Sequence, residues 1–158
     1  MTEHLALEPL DVRHVARLRE LHRQPGVIKW WGPMEHGFPF DEPESQRFAI
    51  VTGGDIVGMI QWGDTSYADN RHAYVDIFVG DDYAGRGIGT EAMRTMTRVL
   101  IEEHGYHRII LDPAVENTAA IRSYEKAGFS PVGTFRRSYR EHESGDWRDE
   151  LMMELVVP

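Results

Sequence analysis

The sequence predicts an α+β fold: a mixed, mostly antiparallel central sheet of about six to seven strands with about four flanking helices. Three observations predict it. β-type apolar runs come in pairs around tight turns at both ends of the chain. Between them lies one β-α-β-α stretch, "HAYVDIFVG" to "EKAGF". The length, 158 residues, suits one domain over 1–158 with a sizeable core.

The elements follow in order. "HLALEPL" reads as a first strand, and Asp11 caps a helix with Val12, Val15, Leu18 and Leu21 on one face, stopped by Pro25-Gly26. "VIKWWGPMEHGFPF" is irregular and aromatic, a short helical turn and a loop. "RFAIVTGGDIVGMIQWGD" is a hairpin about Gly53-Gly54-Asp55, and "HAYVDIFVG" a further antiparallel strand. A glycine-rich loop then opens a helix with Ala92, Met93, Met96, Val99 and Leu100 on one stripe, closing at Gly105. "RIILD" is a short central strand, and Asn117 caps a helix ended by Gly128. "FSPVGTFRRSYR" and "DWRDELMMELVV" close the sheet around "ESGD".

Composition excludes several chemistries. There is no cysteine, hence no disulfide, thiolate metal site or acyl-cysteine step. The eight histidines include no H-x-x-x-H helical pair, and no metal is expected. No apolar run approaches a membrane span, and "MTEHLALEPLD" has no basic n-region, so no membrane partner and a cytoplasmic location are expected. The net charge of −9 lacks the basic face of a nucleic-acid binder and suits a small cationic partner.

"YAGRGIGTEAM" carries the chemistry. Gly85, Gly87 and Gly89 alternate with Ala84, Arg86 and Ile88, and Thr90 follows at the mouth of a helix. Backbone N–H groups there are unpaired and sit at the positive end of the helix dipole, so the loop suits a phosphate. No GK[ST] follows, which excludes a Walker loop. Gly87-x-Gly89-x-x-Ala92 with Asp112 downstream imitates a dinucleotide fingerprint, but the preceding strands are hairpins and no second βαβ half follows.

"YAGRGIGTEAM", "DPAVENTAAIRSYEKAGF" and the strand order resemble the Gcn5-related N-acetyltransferases (GNAT) over residues 5–156. The resemblance implies acetyl-CoA as co-substrate, its pyrophosphate held by residues 84–90, with Ala84 standing where the family has Gln or Arg. It implies direct attack of an amine on the thioester, in a monomer or homodimer. Such a reaction needs a proton acceptor for the amine, a donor for the developing oxyanion and a proton for the leaving thiolate.

In "HAYVDIFVG", alternation sets Val75, Ile77 and Val79 on one face and Tyr74, Asp76 and Phe78 on the other. By resemblance Asp76 is the general base or an acid that positions the amine; as composition alone has it, it is a partly exposed aspartate. The resemblance assigns the backbone of Ile77 and Val79 to the acetyl and pantetheine arm, Asn117 to the pantetheine amide, Lys126 to a phosphate and Tyr124 to the thioester sulfur as general acid. "VIKWWG" and "LDPAVENTAAIRSYEKAGF" are most similar to the aminoglycoside 6′-N-acetyltransferases, enzymes of antibiotic resistance, which implies a pocket wall from Trp30 or Trp31 and substrate ammonium contacts from Asp76 and Asp112. "GDWRDELMMEL" resembles instead the ribosomal-protein alanine and diamine acetyltransferases, with Asp149 turned toward the acceptor. Protein α-amine and polyamine acceptors, and a non-catalytic acyl-CoA sensor, therefore stay open.

Overall fold

The computed structural model describes residues 4–65 and 67–158. Among these, seven strands and four α-helices follow in the expected order: β1 (Leu5–Pro9), α1 (Val15–His22), α2 (Pro25–Trp31), β2 (Gln46–Thr52), β3 (Asp55–Asp64), β4 (Ala73–Val79), α3 (Ile88–Glu102), β5 (Arg108–Leu111), α4 (Thr118–Lys126), β6 (Ser130–Arg140) and β7 (Trp147–Val156). No helix among them is long and apolar enough to cross a membrane.

The strands form one sheet in the order β1-β2-β3-β4-β5-β7-β6. Only β4 and β5 run parallel, as expected where a helix makes the crossover. Their pairing is short: Ala73 with Ile109 and Tyr74 with Ile110. Beyond that point the two strands part, and the gap between them becomes the site.

Helices cover both faces. On one, α3 sets Ala92, Met93, Met96 and Leu100 against Ile60, Val75 and Ile109, joined by Tyr124 of α4 and by Ala127 just past its end. Each large side chain so buried contributes about 1.5–3 kcal/mol. Val99 of the expected stripe is half-buried, and Thr97 takes an interior position. On the other face Leu18 and Leu21 of α1 and Val27 of α2 pack on Met59, Phe78 and Phe38.

Two local expectations change. Asp11 does cap, but with a short 3-10 turn, Val12–His14, whose His14 side chain closes a reciprocal capping box. Pro25-Gly26 does not end structure: Pro25 is the first residue of α2, which carries both tryptophans. Proline lacks the N–H that a first-turn residue would leave unpaired, so the residue that stops one helix starts the next.

Candidate active site

The glycine loop reaches α3 through two left-handed residues, Gly85 (φ 76) and Gly87 (φ 80), conformations that cost a side-chain-bearing residue about 1–2 kcal/mol. A β-carbon at either would meet open space, so backbone conformation and not crowding requires glycine here. The first helical bond runs from Glu91 N–H to the Gly87 carbonyl, and no side chain caps the helix. The N–H groups of Ile88, Gly89 and Thr90 therefore stand free of the helix ladder at its positive end. Arg86 lies exposed beside this end, over the Tyr83 ring. Ala84 closes the preceding turn by bonding to the Asp81 carbonyl. The Thr90 hydroxyl is turned away, 2.8 Å from Ser123 Oγ, and so ties α3 to α4.

A cleft of about 490 Å³ runs through the gap between β4 and β5. Gly89, Asn117, Ala120, Ser123 and Tyr124 line it from the α3–α4 side; Val27, Trp30, Trp31, Glu42 and Gln61 line it from the other. Asp76 and Asp112 also line it, each two residues past the last β4–β5 pair, Tyr74 and Ile110. The splay thus sets one carboxylate on each lip.

Asp76 keeps the accessible area of an exposed residue, but water reaches it only along the cleft while protein crowds it elsewhere. That crowding governs its acidity. Lost hydration, followed by the charges of Asp112 and Glu42, pushes its pKa up to about 7. The Ile77 N–H, 3.0 Å from Asp76 Oδ1, and the Arg47 charge pull the other way. A carboxylate poised near neutrality is a competent general base. Asp112 is likewise raised, by burial and then by Glu150.

Tyr124 is buried at the cleft wall. Burial and then the charges of Asp76 and Asp112 raise its pKa above the ordinary phenol value. It therefore stays protonated at neutral pH, with a hydroxyl proton available to donate. Asn117 caps α4 through its carbonyl oxygen, which accepts from the Ala120 N–H at 3.2 Å, and its amide nitrogen is left for the cleft.

Several expected residues are placed differently. The Ile77 backbone is already engaged: its N–H on Asp76 and its carbonyl on the Trp31 indole N–H at 3.0 Å. The β3–β4 register runs without a shift from Ala73 to Val79, so β4 splays without bulging. Val79 does line the cleft. Lys126 is exposed at the far end of α4, outside the cleft lining. Asp149 turns away from the cleft and accepts the Arg137 N–H at 2.8 Å. Its neighbour Glu150 lines the cleft instead, together with Tyr139. Trp30 and Trp31 both line it, and Trp31 packs edge-on against Phe78 at 5.0 Å.

Glu42 and Gln61 carried no local signal. Arg47, buried on β2, donates to Gln61 at 2.7 Å, to the Pro39 carbonyl at 2.8 Å and to Asp41 at 2.6 Å. Gln61 pairs across the sheet with Asp76 and donates to Glu42 at 3.4 Å. One buried cation thereby straps the 39–42 loop to the strand behind the base. Among the described residues no three His, Asp or Glu side chains converge as metal ligands.

Comparison with known proteins agrees with this arrangement. The family described as Acetyltransferase (GNAT) family matches residues 9–129. The chain is 27% identical over 120 residues to a probable N-acetyltransferase, YjcK, of Bacillus subtilis, covering 75% of this chain and 65% of that relative. It is 26% identical over 159 residues to the aminoglycoside N(6')-acetyltransferase type 1 of Klebsiella pneumoniae, covering 85% of this chain and 73% of the relative. A spermidine N-acetyltransferase from Vibrio cholerae, solved with CoA and spermine, superposes with a TM-score of 0.82 at 18% identity, covering 96% of this chain and 95% of that one, a likeness of fold alone. With free amides at the head of α3, Asp76 and Tyr124 lining one gap in the sheet, and a family match over most of its length, the chain belongs to the GNAT family of acetyltransferases.

Proposed function

We propose that the protein transfers acetyl from acetyl-CoA to a primary amine of a small polycation, in the first place the 6′-amine of an aminoglycoside. One observation carries this reading: Asp76 and Tyr124 share a cleft whose lining also holds Glu42, Asp112 and Glu150. Arg47 answers Glu42 at 3.5 Å, and the remaining three carboxylates around one opening are costly unless further cations answer them. Charge-assisted hydrogen bonds to a substrate ammonium supply about 1.5–3 kcal/mol each.

The free amides of residues 88–90 fit a pyrophosphate, and Asn117 fits a pantetheine amide; the bound co-substrate brings the activated acetyl thioester. Asp76 holds the attacking nitrogen and takes its proton as the new C–N bond forms. Tyr124 gives its proton to the sulfur as the C–S bond breaks. Trp30 and Trp31 wall the acceptor side, and Asp112 meets a second ammonium.

A linear polyamine is the second reading. The same carboxylates suit it, and the Vibrio cholerae relative in fold was solved with spermine. A thiol-release assay with kanamycin, tobramycin, spermidine and an Ala-starting peptide decides between them. Turnover of kanamycin above spermidine supports the first reading; turnover of the peptide alone overturns both.

Two further outcomes are expected. Gly89→Val places a branched side chain where a β-carbon would already touch Ser123 Oγ at 3.5 Å and Val79 at 3.9 Å. It should weaken acetyl-CoA binding at least about tenfold, or about 1.4 kcal/mol, in calorimetry, with the melting temperature nearly unchanged. Asp112→Asn removes a charge that raises the Asp76 pKa. The base then ionises at lower pH, so the rising limb of kcat/KM moves toward acid while the acceptor KM increases. A pH–rate profile identical to wild type contradicts the coupling.

A further inference from the structure

β6 and β7 leave regular pairing in one place. Phe135 pairs with Glu150 and Tyr139 with Arg148, so residues 136–138 of β6 face a single residue of β7, Asp149. Uninterrupted pairing from Phe135 would set Tyr139 opposite Asp146, two residues and about 6.8 Å nearer the hairpin tip. The bulge draws Tyr139 back by that distance, into the cleft lining beside Glu150.

The bulge is held at its centre. Arg137 has φ 51, the one positive φ outside glycine among the described residues. An arginine adopts that conformation at a cost of about 1–2 kcal/mol. Its N–H is out of the β-ladder and donates to Asp149 Oδ1 at 2.8 Å, a side-chain partner for the strained turn. Ser138 Oγ bonds back to the Phe135 carbonyl at 3.2 Å and closes the loop. The backbone of Asp149 is anchored separately, its carbonyl accepting from Val115 N–H at 3.0 Å. The side chain is therefore free to serve the bulge alone.

The tip of the hairpin also reaches the end of α2. His142 at its tip lies so close to Gly32, at the end of α2, that a β-carbon there would overlap its ring. Tyr139 thus lies between the bulge on one side and a tip packed against α2 on the other. Burial, then the charge of Glu116, raises its pKa and keeps its hydroxyl protonated. Its hydroxyl oxygen can accept from an ammonium, and it lines the cleft together with Asp112 and Glu150.

We propose that Asp149 is a positioning residue: its carboxylate holds the Arg137 bulge, and the bulge sets Tyr139 against the acceptor. The inference rests on the reading of this end of the cleft as the acceptor side. The test is a crystal structure of the Asp149→Ala protein together with acceptor kinetics. Tyr139 should leave its place opposite Arg148 and move toward the tip. The acceptor KM should rise about tenfold with acetyl-CoA affinity unchanged, Asp149→Asn should restore it to within about threefold, and Asp149→Ala should add nothing in a Tyr139→Ala background. Should Asp149→Ala not fold, Asp149→Glu, whose longer side chain displaces the same amide, takes its place. An unmoved Tyr139, or additive effects of the two substitutions, overturns the proposal. Absence of turnover with kanamycin and spermidine counts against the proposed function, and the crystallographic position of Tyr139 still decides the role of Asp149.

Discussion

Asp76→Asn is expected to lower kcat by about 10²–10⁴-fold, the usual contribution of a positioned general base, with acetyl-CoA affinity nearly unchanged. The loss should be largest near pH 8, where the wild-type carboxylate is ionised, and should shrink below its pKa of about 7, where the wild type is itself protonated. Stopped assays over pH 5.5–9 read this as a flattened profile; a loss of less than about threefold at pH 8 returns Asp76 to a surface role. The same substitution should stabilise the fold. A carboxyl whose folded pKa is raised above its unfolded value of about 3.9 favours the folded state while protonated, and that advantage is lost as pH rises through the folded pKa. The wild type should therefore lose stability between about pH 4 and pH 7 on account of this group, and Asp76→Asn, which cannot ionise, should melt higher at pH 8 and no higher at pH 4. Catalysis and stability pull opposite ways at one atom.

Tyr124→Phe is the second large effect. It removes a single oxygen from a buried ring that also packs near Phe129, so the fold should persist. The expected loss in kcat is again about 10²–10⁴-fold with little change in acetyl-CoA affinity, measured by single-turnover kinetics and calorimetry. The raised pKa sharpens the expectation. A phenol this weakly acidic surrenders its proton reluctantly, yet the charge of Asp76 is one cause of that reluctance. Under the proposed mechanism, once Asp76 has taken the proton of the amine, that charge is gone and the Tyr124 proton comes away more easily. Base and acid are coupled, so Asp76→Asn and Tyr124→Phe should be strongly non-additive. Strict additivity contradicts the coupling.

What was legible in the sequence is what local spacing encodes. Alternating glycines before a helix, a carboxylate in mid-strand and a tyrosine two turns into a capped helix each lie within a dozen residues, and the structure places Gly89, Asp76 and Tyr124 at one cleft. What was not legible has local causes too. α2 is seven residues long, too short to show a period, and its opening Pro-Gly looks like a stop. Asp149 and Glu150 alternate, and parity at the end of β7 depends on pairing with β6 that no local pattern reveals. Glu42 and Gln61 reach the site through Arg47, a contact between a loop and two strands, and such long-range strapping leaves no trace in periodicity.

The parting of β4 and β5 has a mechanical meaning. Two residue pairs are all that stitch the four-strand block β1–β4 to the three-strand block β5–β7 along the sheet, and helix packing does the rest. On the proposed reading, both reactants lie at this thinly paired seam. A molecule threaded through it touches β4 on one bank and α4 and β5 on the other, and so acts as a staple between the two blocks. At a hundredfold excess over its dissociation constant, such a ligand adds about 2.7 kcal/mol to the folded state. On that reading, contacts to the reactants stand in for the ladder bonds forgone at the gap, and the two blocks are most tightly joined when the cleft is occupied.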